Sequence, residues 1–273
     1  MNKIGFLEAI TEVVYEAGEI LKSAVAIEDS IEEKSGRANF VTAYDKKVQE
    51  FLFEKLAEVL PEAVFIGEEE EEHAALSEGY AFIIDPIDGT TNFMKGYNAS
   101  CISVGLLKDG QPDIAVVYNP YLNEMYQAMA GQGAFCNGKQ IKVSEHPLSE
   151  GLVLFGSAPY NEELAEKSFA LAYQLFNKSL DIRRSGSAAF DLCNIAAGRA
   201  EFFFEMQLSP WDYAAGTLLV KEAGGLISDM DGMELVFDKK CSVMAGNADA
   251  MEVYRQLMEE NKEENHEDTS ERA

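Results

Sequence analysis

The chain is organised around one stretch, which reads Phe82-Ile83-Ile84-Asp85-Pro86-Ile87-Asp88-Gly89-Thr90-Thr91-Asn92-Phe93. Residues 80–84 are short, apolar and flanked by turn-forming residues, which predicts a buried strand ending at Asp85. Pro86 has no N–H, so we expect it to stop the hydrogen-bond ladder of the strand. Asp88 and the glycine after it form a turn pair, and a helix is expected to begin at Thr90, where backbone N–H groups can meet an anion. The stretch therefore places two carboxylates and an anion-binding turn at the end of one strand.

Two carboxylates with the Ile87 carbonyl between them suit a hard divalent cation. Mg²⁺ prefers oxygen ligands and often bridges to a substrate phosphate. The alternative is a hairpin or loop turn with two solvated aspartates, because Asp-Gly turns are common in proteins. The stretch alone leaves both interpretations open.

Two more carboxylates lie where other predicted elements end or begin. Glu68 follows a short strand over residues 64–66 and a glycine, and Asp212 precedes a helix predicted over residues 213–223. Asp212 alone is also explained as a charge that complements a helix N-terminus. Four converging carboxylates would have to be protonated or bind cations, and two or three Mg²⁺ ions would satisfy them. The reaction class that follows is metal-assisted hydrolysis of a phosphate ester.

Composition and charge exclude several classes of partner. The 273 residues are enough for one large domain or two small ones, and 47% hydrophobic with 26% charged residues is typical of a globular chain. The net charge of −26 argues against binding to nucleic acid or to anionic membrane surfaces. It also repels phosphate at long range, so we expect bound cations to reverse the local field.

The sequence carries no sign of export, membrane insertion or histidine chemistry. The four cysteines are far apart and lack CxxC spacing, which predicts reduced thiols in a cytoplasmic protein. The first nine residues do not resemble a signal peptide, and no apolar run approaches the length of a membrane span. None of the three histidines lies in a catalytic pattern.

The predicted elements change character after Pro147, from mostly strands to alternating strands and helices. This predicts an α/β or α+β domain over residues 1–258 with two sub-layers, about 1–147 and 148–258. Residues 259–273 are charged and polar, which predicts a flexible tail. Near the start of the chain, Thr42 and Asp45 predict a capping box that begins a helix, with Asp45 complementing the helix dipole.

Several motifs in order resemble the inositol monophosphatase family over about residues 5–255. The stretches that carry the resemblance are Gly67-Glu68-Glu69, Asp85-Pro86-Ile87-Asp88-Gly89-Thr90-Thr91-Asn92-Phe93 and Trp211-Asp212-Tyr213-Ala214-Ala215-Gly216. The ordered set is highly specific, although each member alone is not. Residues 39–45, 133–138 and 184–189 are similar to further family stretches.

The resemblance implies a layered αβαβα sandwich and a Mg²⁺-dependent, lithium-sensitive phosphomonoesterase, commonly a homodimer. It implies a first metal ion bound by Glu68, Asp85 and the Ile87 carbonyl, and a second bound by Asp85, Asp88 and Asp212. A third Mg²⁺, bound more weakly, would contact Glu68 through a water molecule.

The resemblance also implies roles in catalysis and substrate binding. Thr90 with Glu68 would orient and deprotonate the attacking water, and the N–H groups of Gly89 and Thr90 would hold the phosphate. The residues implied at the substrate are Asp88, Gly186, Ser187, Ala188 and Glu205. Lys34 and Asp45 match family positions near the metal site.

The substrate expected first is a small phosphorylated polyol, myo-inositol 1-phosphate. One departure from the family concerns this pocket, because Ser209-Pro210 stands where animal enzymes carry a His-Cys pair. Fructose 1,6-bisphosphate and the 2′-phosphate of NADP are alternatives that would need more basic pocket residues, for which Arg183, Arg184 and Lys221 are candidates. A non-catalytic interaction protein of a transcription complex is an alternative of another class, against which the complete set of carboxylates argues.

Overall fold

The computed structural model describes residues 2–25, 27, 31–33, 40–70, 74–76 and 78–271, without the side chains of residues 32, 33, 40 and 264–271. Lys34, which the family resemblance places near the metal site, lies outside these ranges.

The helices and strands follow one another in the order that the sequence predicts, strands mainly first and then strands alternating with helices. The helices are α1 Lys3–Lys22, α2 Ala43–Val59, α3 Thr90–Lys95, α4 Glu162–Phe176, α5 Ala188–Ala196, α6 Pro210–Glu222 and α7 Ala248–Glu271. The strands of the first half are β1 Ile31–Glu33, β2 Phe40–Thr42, β3 Val64–Gly67, β4 Tyr80–Asp88, β5 Cys101–Lys108, β6 Gln111–Asn119, β7 Glu124–Met129, β8 Ala134–Cys136 and β9 Lys139–Ile141. The strands of the second half are β10 Leu152–Phe155, β11 Asp181–Arg183, β12 Phe202–Leu208, β13 Leu226–Ser228 and β14 Cys241–Gly246.

The strands form two large sheets, one from each half of the chain. The first has seven strands in the order β3-β4-β5-β6-β7-β8-β9, parallel between β3 and β4 and antiparallel thereafter. The second has five strands in the order β11-β10-β12-β14-β13, with β10 parallel to both of its neighbours. The short strands β1 and β2 pair with each other.

Alternating side chains along the central strands connect the sheets to three layers of helices. On β4, Phe82 and Ile84 pack with α1 and α2, whereas Ile83 faces the opposite side, where α5 and α6 lie. On β12, Phe203 faces α5 and α6, whereas its neighbours Phe202 and Phe204 pack with α4 and α7. The layers are therefore α1/α2, the first sheet, α5/α6, the second sheet and α4/α7, which confirms the predicted αβαβα sandwich.

Strand β4 differs from the prediction, because it continues through Pro86 to Asp88 instead of ending at Asp85. Asp85 pairs with Ser103 and Asp88 with Cys101, so β4 has one more residue than β5 between these two pairs. Such a bulge leaves a residue out of the ladder, which removes the need for the N–H that proline lacks. The Ile87 N–H instead donates to Asp85 Oδ1 at 3.0 Å.

At the end of the described chain, the last helix continues to Glu271, and the flexible tail expected over residues 259–273 stays a prediction. The seven-stranded sheet lies within residues 1–147 and the five-stranded sheet within residues 148–258, while the division into two sub-layers stays a prediction. The four cysteines are free thiols. Among the described helices, none is both long and apolar enough to cross a membrane.

Candidate active site

A cleft of about 680 Å³ lies between the ends of elements from both halves of the chain. The sequence-predicted site residues that line it are Glu68, Asp85, Ile87, Asp88, Gly89, Thr90, Gly186, Ser187, Ala188, Glu205 and Asp212. The fold therefore brings together residues that are up to 144 positions apart in the chain, from Glu68 to Asp212.

Three aspartates form the centre of this cleft. Asp85, Asp88 and Asp212 each offer an oxygen atom, and these atoms lie within 4.8 Å of one another. Asp85 and Asp88 are buried, and Asp212 is half-buried. Glu68 lines the same cleft, and its charge raises the pKa of all three aspartates.

The protein holds one oxygen of each aspartate, which fixes the direction of the carboxylate. Asp85 Oδ1 accepts from the Ile87 N–H at 3.0 Å, and Asp212 Oδ2 accepts from the Ser209 N–H at 2.7 Å. Asp88 Oδ2 accepts from Ser187 Oγ at 2.7 Å and from the Ala189 N–H at 2.5 Å. Each of these hydrogen bonds reaches one oxygen of its aspartate, so the other oxygen can serve a ligand.

The electrostatics of the cluster favour a bound cation. Burial is the main cause that raises the pKa of Asp85, Asp88 and Asp212, and repulsion between the neighbouring carboxylates raises it further. For Asp88 the pKa rises to about 6, where hydrogen bonds from α5 oppose the increase. A divalent cation with oxygen ligands would remove this repulsion, so the donor set fits Mg²⁺.

Thr90 connects this cluster to the beginning of α2. Its hydroxyl oxygen lies 3.0 Å from Asp45 Oδ1 and 3.2 Å from the Ile87 carbonyl oxygen. Asp45 Oδ2 accepts from the Thr42 N–H at 2.7 Å and from Thr42 Oγ1 at 2.6 Å, as the predicted capping box requires. The predicted cap of α2 is thus confirmed, and Asp45 also contacts the cleft residue Thr90, near the metal site where the family resemblance expects it.

Gly89 makes the turn between β4 and α3. Its φ of 87° lies in the left-handed region, which glycine adopts more readily than other residues. A Cβ atom there would lie 3.2 Å from the Ala99 and Gly186 carbonyl oxygens and from Ser187 Cβ. The turn therefore needs glycine both for its conformation and for the close approach of the 186–187 loop.

Glu205 lies on β12 at the other end of the predicted site. Burial raises the pKa of its carboxyl to about 8, and the charge of Asp88 adds to this increase. A bulge in the pairing of β12 with β14 begins at Glu205. The bulge locally alters the direction of side chains at the position where Glu205 enters the cleft.

The structure adds cleft residues that the sequence analysis did not single out. Asp191, Tyr160 and Lys240 line the cleft. Asp191 follows Ser187 and Ala188 by one helical turn on α5, so its spacing was a signal that could have found it. Tyr160 and Lys240 lie in connections between elements, where no periodic pattern predicts the direction of a side chain.

The comparisons with known proteins agree with this geometry. The sequence profile described as the inositol monophosphatase family matches residues 5–264, and the chain belongs to this family. Inositol monophosphatase 3 of Solanum lycopersicum is 35% identical over 261 residues, covering 93% of this chain and 97% of the relative. Nus factor SuhB of Escherichia coli strain K12 is 38% identical over 218 residues, covering 79% and 82%.

A solved structure supports the same fold. The inositol monophosphatase from Anabaena (Nostoc) sp. PCC 7120 superposes with a TM-score of 0.83 at 33% identity, covering 95% of this chain and 97% of that chain. Family and fold together define the class of this protein, which is the inositol monophosphatase family.

Proposed function

We propose that this protein hydrolyses a small phosphate monoester with Mg²⁺, and that myo-inositol 1-phosphate is its substrate. The observation that carries the proposal is the group of three aspartates whose oxygen atoms lie within 4.8 Å in a cleft that also contains Gly89, Thr90 and Glu205. The same cleft thus offers a cation site, a backbone turn for phosphate and an acceptor for hydroxyl groups.

In this proposal the metal ligands are Glu68, Asp85, Asp88, Asp212 and the Ile87 carbonyl, for two or three Mg²⁺ ions per site. Bound Mg²⁺ supplies Lewis acidity, activating the attacking water and offsetting charge on the phosphate and on the leaving oxygen. The Ile87 carbonyl lies 3.2 Å from the Thr90 hydroxyl oxygen, and its two lone pairs leave one for a cation even when that hydroxyl donates to it. The raised pKa values of the aspartates support this assignment. Without a cation, the clustered carboxylates would have to bind protons, and a cation takes the place of those protons.

Thr90 and Asp45 are placed to orient the attacking water. Since the Thr90 hydroxyl donates its proton toward Asp45 Oδ1 or the Ile87 carbonyl, its own oxygen is available to accept from a water molecule. Asp45 can then take up a proton that Thr90 passes on from the water, and Glu68, which lines the same cleft, would help to orient and deprotonate that water, as the family resemblance implies. Asp88 is assigned both to the metal site and to the substrate-binding residues. Its carboxylate accepts hydrogen bonds from Ser187 and from the N-terminus of α5, which belong to the proposed substrate pocket.

The phosphate and the leaving group are assigned to opposite ends of the site. The N–H groups of Gly89 and Thr90, at the first turn of α3, hold the phosphate. Glu205 accepts hydrogen bonds from hydroxyl groups of the leaving group, and Gly186, Ser187 and Ala188 form the wall beside it. We also propose a cytoplasmic homodimer that Li⁺ inhibits, as the family resemblance implies.

The bisphosphate and NADP alternatives receive less support from the placement of basic residues. Among the three candidates, Arg184 lines the cleft. Arg183 pairs with Asp181, and Lys221 pairs with Glu234 at 3.5 Å, and neither is a cleft residue. One arginine, with Lys240 at the rim, is a small basic set for a second phosphate group.

The test is phosphate release from myo-inositol 1-phosphate, fructose 1,6-bisphosphate and NADP, each with Mg²⁺, with EDTA, and with Li⁺ added to Mg²⁺. We expect turnover that requires Mg²⁺, falls with Li⁺ and is fastest for myo-inositol 1-phosphate. Faster turnover of either other ester would contradict the proposed substrate but not the reaction. No turnover of any ester, with Mg²⁺ bound by calorimetry, would favour the interaction-protein alternative, for which the relative named Nus factor SuhB is a precedent.

A further inference from the structure

One wall of the cleft is a short connection outside the residues assigned so far. Strand β10 ends at Phe155 and α4 begins at Glu162, and residues 156–161 between them all line the cleft. This connection, the 156–161 turn, reads Gly156-Ser157-Ala158-Pro159-Tyr160-Asn161. The Asn161 N–H donates to the Ala158 carbonyl at 3.1 Å, and the Asn161 side chain caps α4, so both ends of the turn are fixed.

Gly156 supports the Glu205 carboxylate directly. The Gly156 N–H donates to the Phe204 carbonyl at 2.9 Å, which continues the pairing of β10 with β12 by one residue. A Cβ atom at Gly156 would lie 1.9 Å from Glu205 Cδ and 2.1 and 2.2 Å from its two oxygens. Any side chain at this position would therefore displace the carboxylate of Glu205.

Ala158 holds the turn in an unusual backbone conformation. Its φ of 44° lies in the left-handed region, which residues other than glycine and asparagine seldom adopt. The Ala158 amide lies close enough to the Glu205 carboxyl to lower its pKa. Strained residues persist where the surrounding structure requires them, often at ligand sites. The conformation of Ala158 is thus tied to the placement of Glu205.

Tyr160 presents an aromatic ring at the mouth of the same cleft. Its side chain is 61% exposed, and within the described residues its hydroxyl has no hydrogen-bond partner. Burial of part of the side chain, with the charges of Glu68, Asp212 and Glu205, raises the pKa of its hydroxyl to about 12. Tyr160 therefore lines the cleft with a ring much of whose surface is open to a ligand.

We propose that Tyr160 is a specificity-determining residue, against whose ring the carbon skeleton of a cyclic polyol packs while Glu205, held by the 156–161 turn, accepts a hydrogen bond from a polyol hydroxyl. This inference rests on the proposed phosphatase function. A cyclic polyol has a rigid face of C–H groups and a rim of hydroxyl groups, and the turn supplies an apolar surface and an acceptor that match them. An acyclic leaving group has no rigid face to cover the ring.

The test compares Tyr160→Ala with the unaltered protein on two esters of secondary alcohols, myo-inositol 1-phosphate and glycerol 2-phosphate. We expect KM for myo-inositol 1-phosphate to rise roughly tenfold, with kcat within about a factor of two. Both constants for glycerol 2-phosphate should be unchanged. Tyr160→Phe should behave as the unaltered protein, because the hydroxyl has no hydrogen-bond partner among the residues that the structure describes. Tyr173→Ala is the matched control, since Tyr173 is 68% exposed on α4 and does not line the cleft.

A second variant tests the support of Glu205. Gly156→Ala should raise KM for myo-inositol 1-phosphate, because the new methyl group displaces the Glu205 carboxylate, and adding Glu205→Asp should restore part of the loss by making room for that group. Circular dichroism and thermal melting would establish that each variant folds.

The outcomes separate this inference from the function on which it rests. If the unaltered protein hydrolyses glycerol 2-phosphate but Tyr160→Ala changes neither ester, or both equally, the role of Tyr160 is overturned and the phosphatase function stands. If Tyr160→Ala lowered only the hydrolysis of 2′-AMP in a parallel assay, the role would also be overturned, because the ring would then pack against a nucleobase. No hydrolysis of either ester by the unaltered protein overturns the proposed function and this inference together.

Discussion

The Thr90 hydroxyl lies 3.0 Å from Asp45 Oδ1, which joins the start of α3 to the start of α2 across 45 positions of sequence. Asp45 is completely buried, and burial raises the pKa of its carboxyl, while its bonds to Thr42 oppose that increase. Asp45 is therefore both a helix cap and a member of the candidate active site.

We expect Asp45→Asn to lower kcat by about 10²–10³-fold, because an amide keeps the size of the side chain but cannot take up a proton. KM should change little, since Asp45 does not line the cleft. Steady-state kinetics with Mg²⁺ would measure both constants. The control is Asp249→Asn, because Asp249 also accepts a backbone N–H, that of Leu148 at 2.7 Å, near the start of α7. Equal losses in the two variants would remove Asp45 from the mechanism.

Ser187 is expected to orient Asp88 for cation binding. Its hydroxyl donates to Asp88 Oδ2 at 2.7 Å, and outer hydrogen bonds of this kind change metal affinity by about 10–100-fold. Ser187→Ala should therefore weaken Mg²⁺ binding by about that factor in isothermal titration calorimetry. Ser187→Thr retains a hydroxyl and should bind Mg²⁺ nearly as the unaltered protein does. Unchanged affinity in Ser187→Ala would show that the α5 backbone alone holds Asp88.

Gly89→Ala should damage both stability and turnover. The left-handed conformation costs any L residue about 1–2 kcal/mol, and the added methyl group would also crowd the 186–187 loop at 3.2 Å. Gly110→Ala is a matched control, because Gly110 has a similar φ of 77° and open space around it. Both variants should melt at lower temperature, but only Gly89→Ala should lose kcat/KM. If both variants had the same kinetics, the close packing of the 186–187 loop against Gly89 would not be needed for activity.

Without Mg²⁺, the protein should become less stable as pH rises from about 4 to 8. The folded-state pKa values of Asp88 and Glu205, about 6 and about 8, lie above their ordinary values, so the folded state holds protons that the unfolded state releases. The stabilisation is complete below the ordinary carboxyl pKa and is lost as pH rises through the raised values. Thermal melting in EDTA at several pH values would measure the decrease, and Asp88→Asn should reduce it.

Mg²⁺ should reverse this dependence, because it binds the ionised carboxylates and displaces their protons. The increase in melting temperature on adding Mg²⁺ should thus be larger near pH 8 than near pH 5. Calorimetry in two buffers with different ionisation enthalpies should show proton release on binding near pH 6. A Mg²⁺ effect that is the same at every pH would contradict the assignment of the cation to these carboxylates.

Local patterns in the sequence were sufficient to predict the main elements and the residues of the candidate site. The apolar run before Asp85, the capping pattern of Thr42 with Asp45 and the helix start at Thr90 depend on neighbouring residues, and the structure has all three. Alternating apolar residues along central strands and amphipathic helices likewise imply buried sheets between helical layers. These features follow from local chemistry, so a sequence can reveal them.

The way in which these residues come together depends on the packing of segments that are far apart in the chain. Asp85 and Asp88 are three apart in one strand and would face opposite sides of a regular sheet, and the bulge at Pro86 brings their oxygens together. The hydrogen bond between Thr90 and Asp45 joins segments that are far apart in the chain, and so does the close approach of the Glu205 carboxylate to Gly156. Distances of this kind arise from the packing of layers, which no local pattern in the sequence encodes.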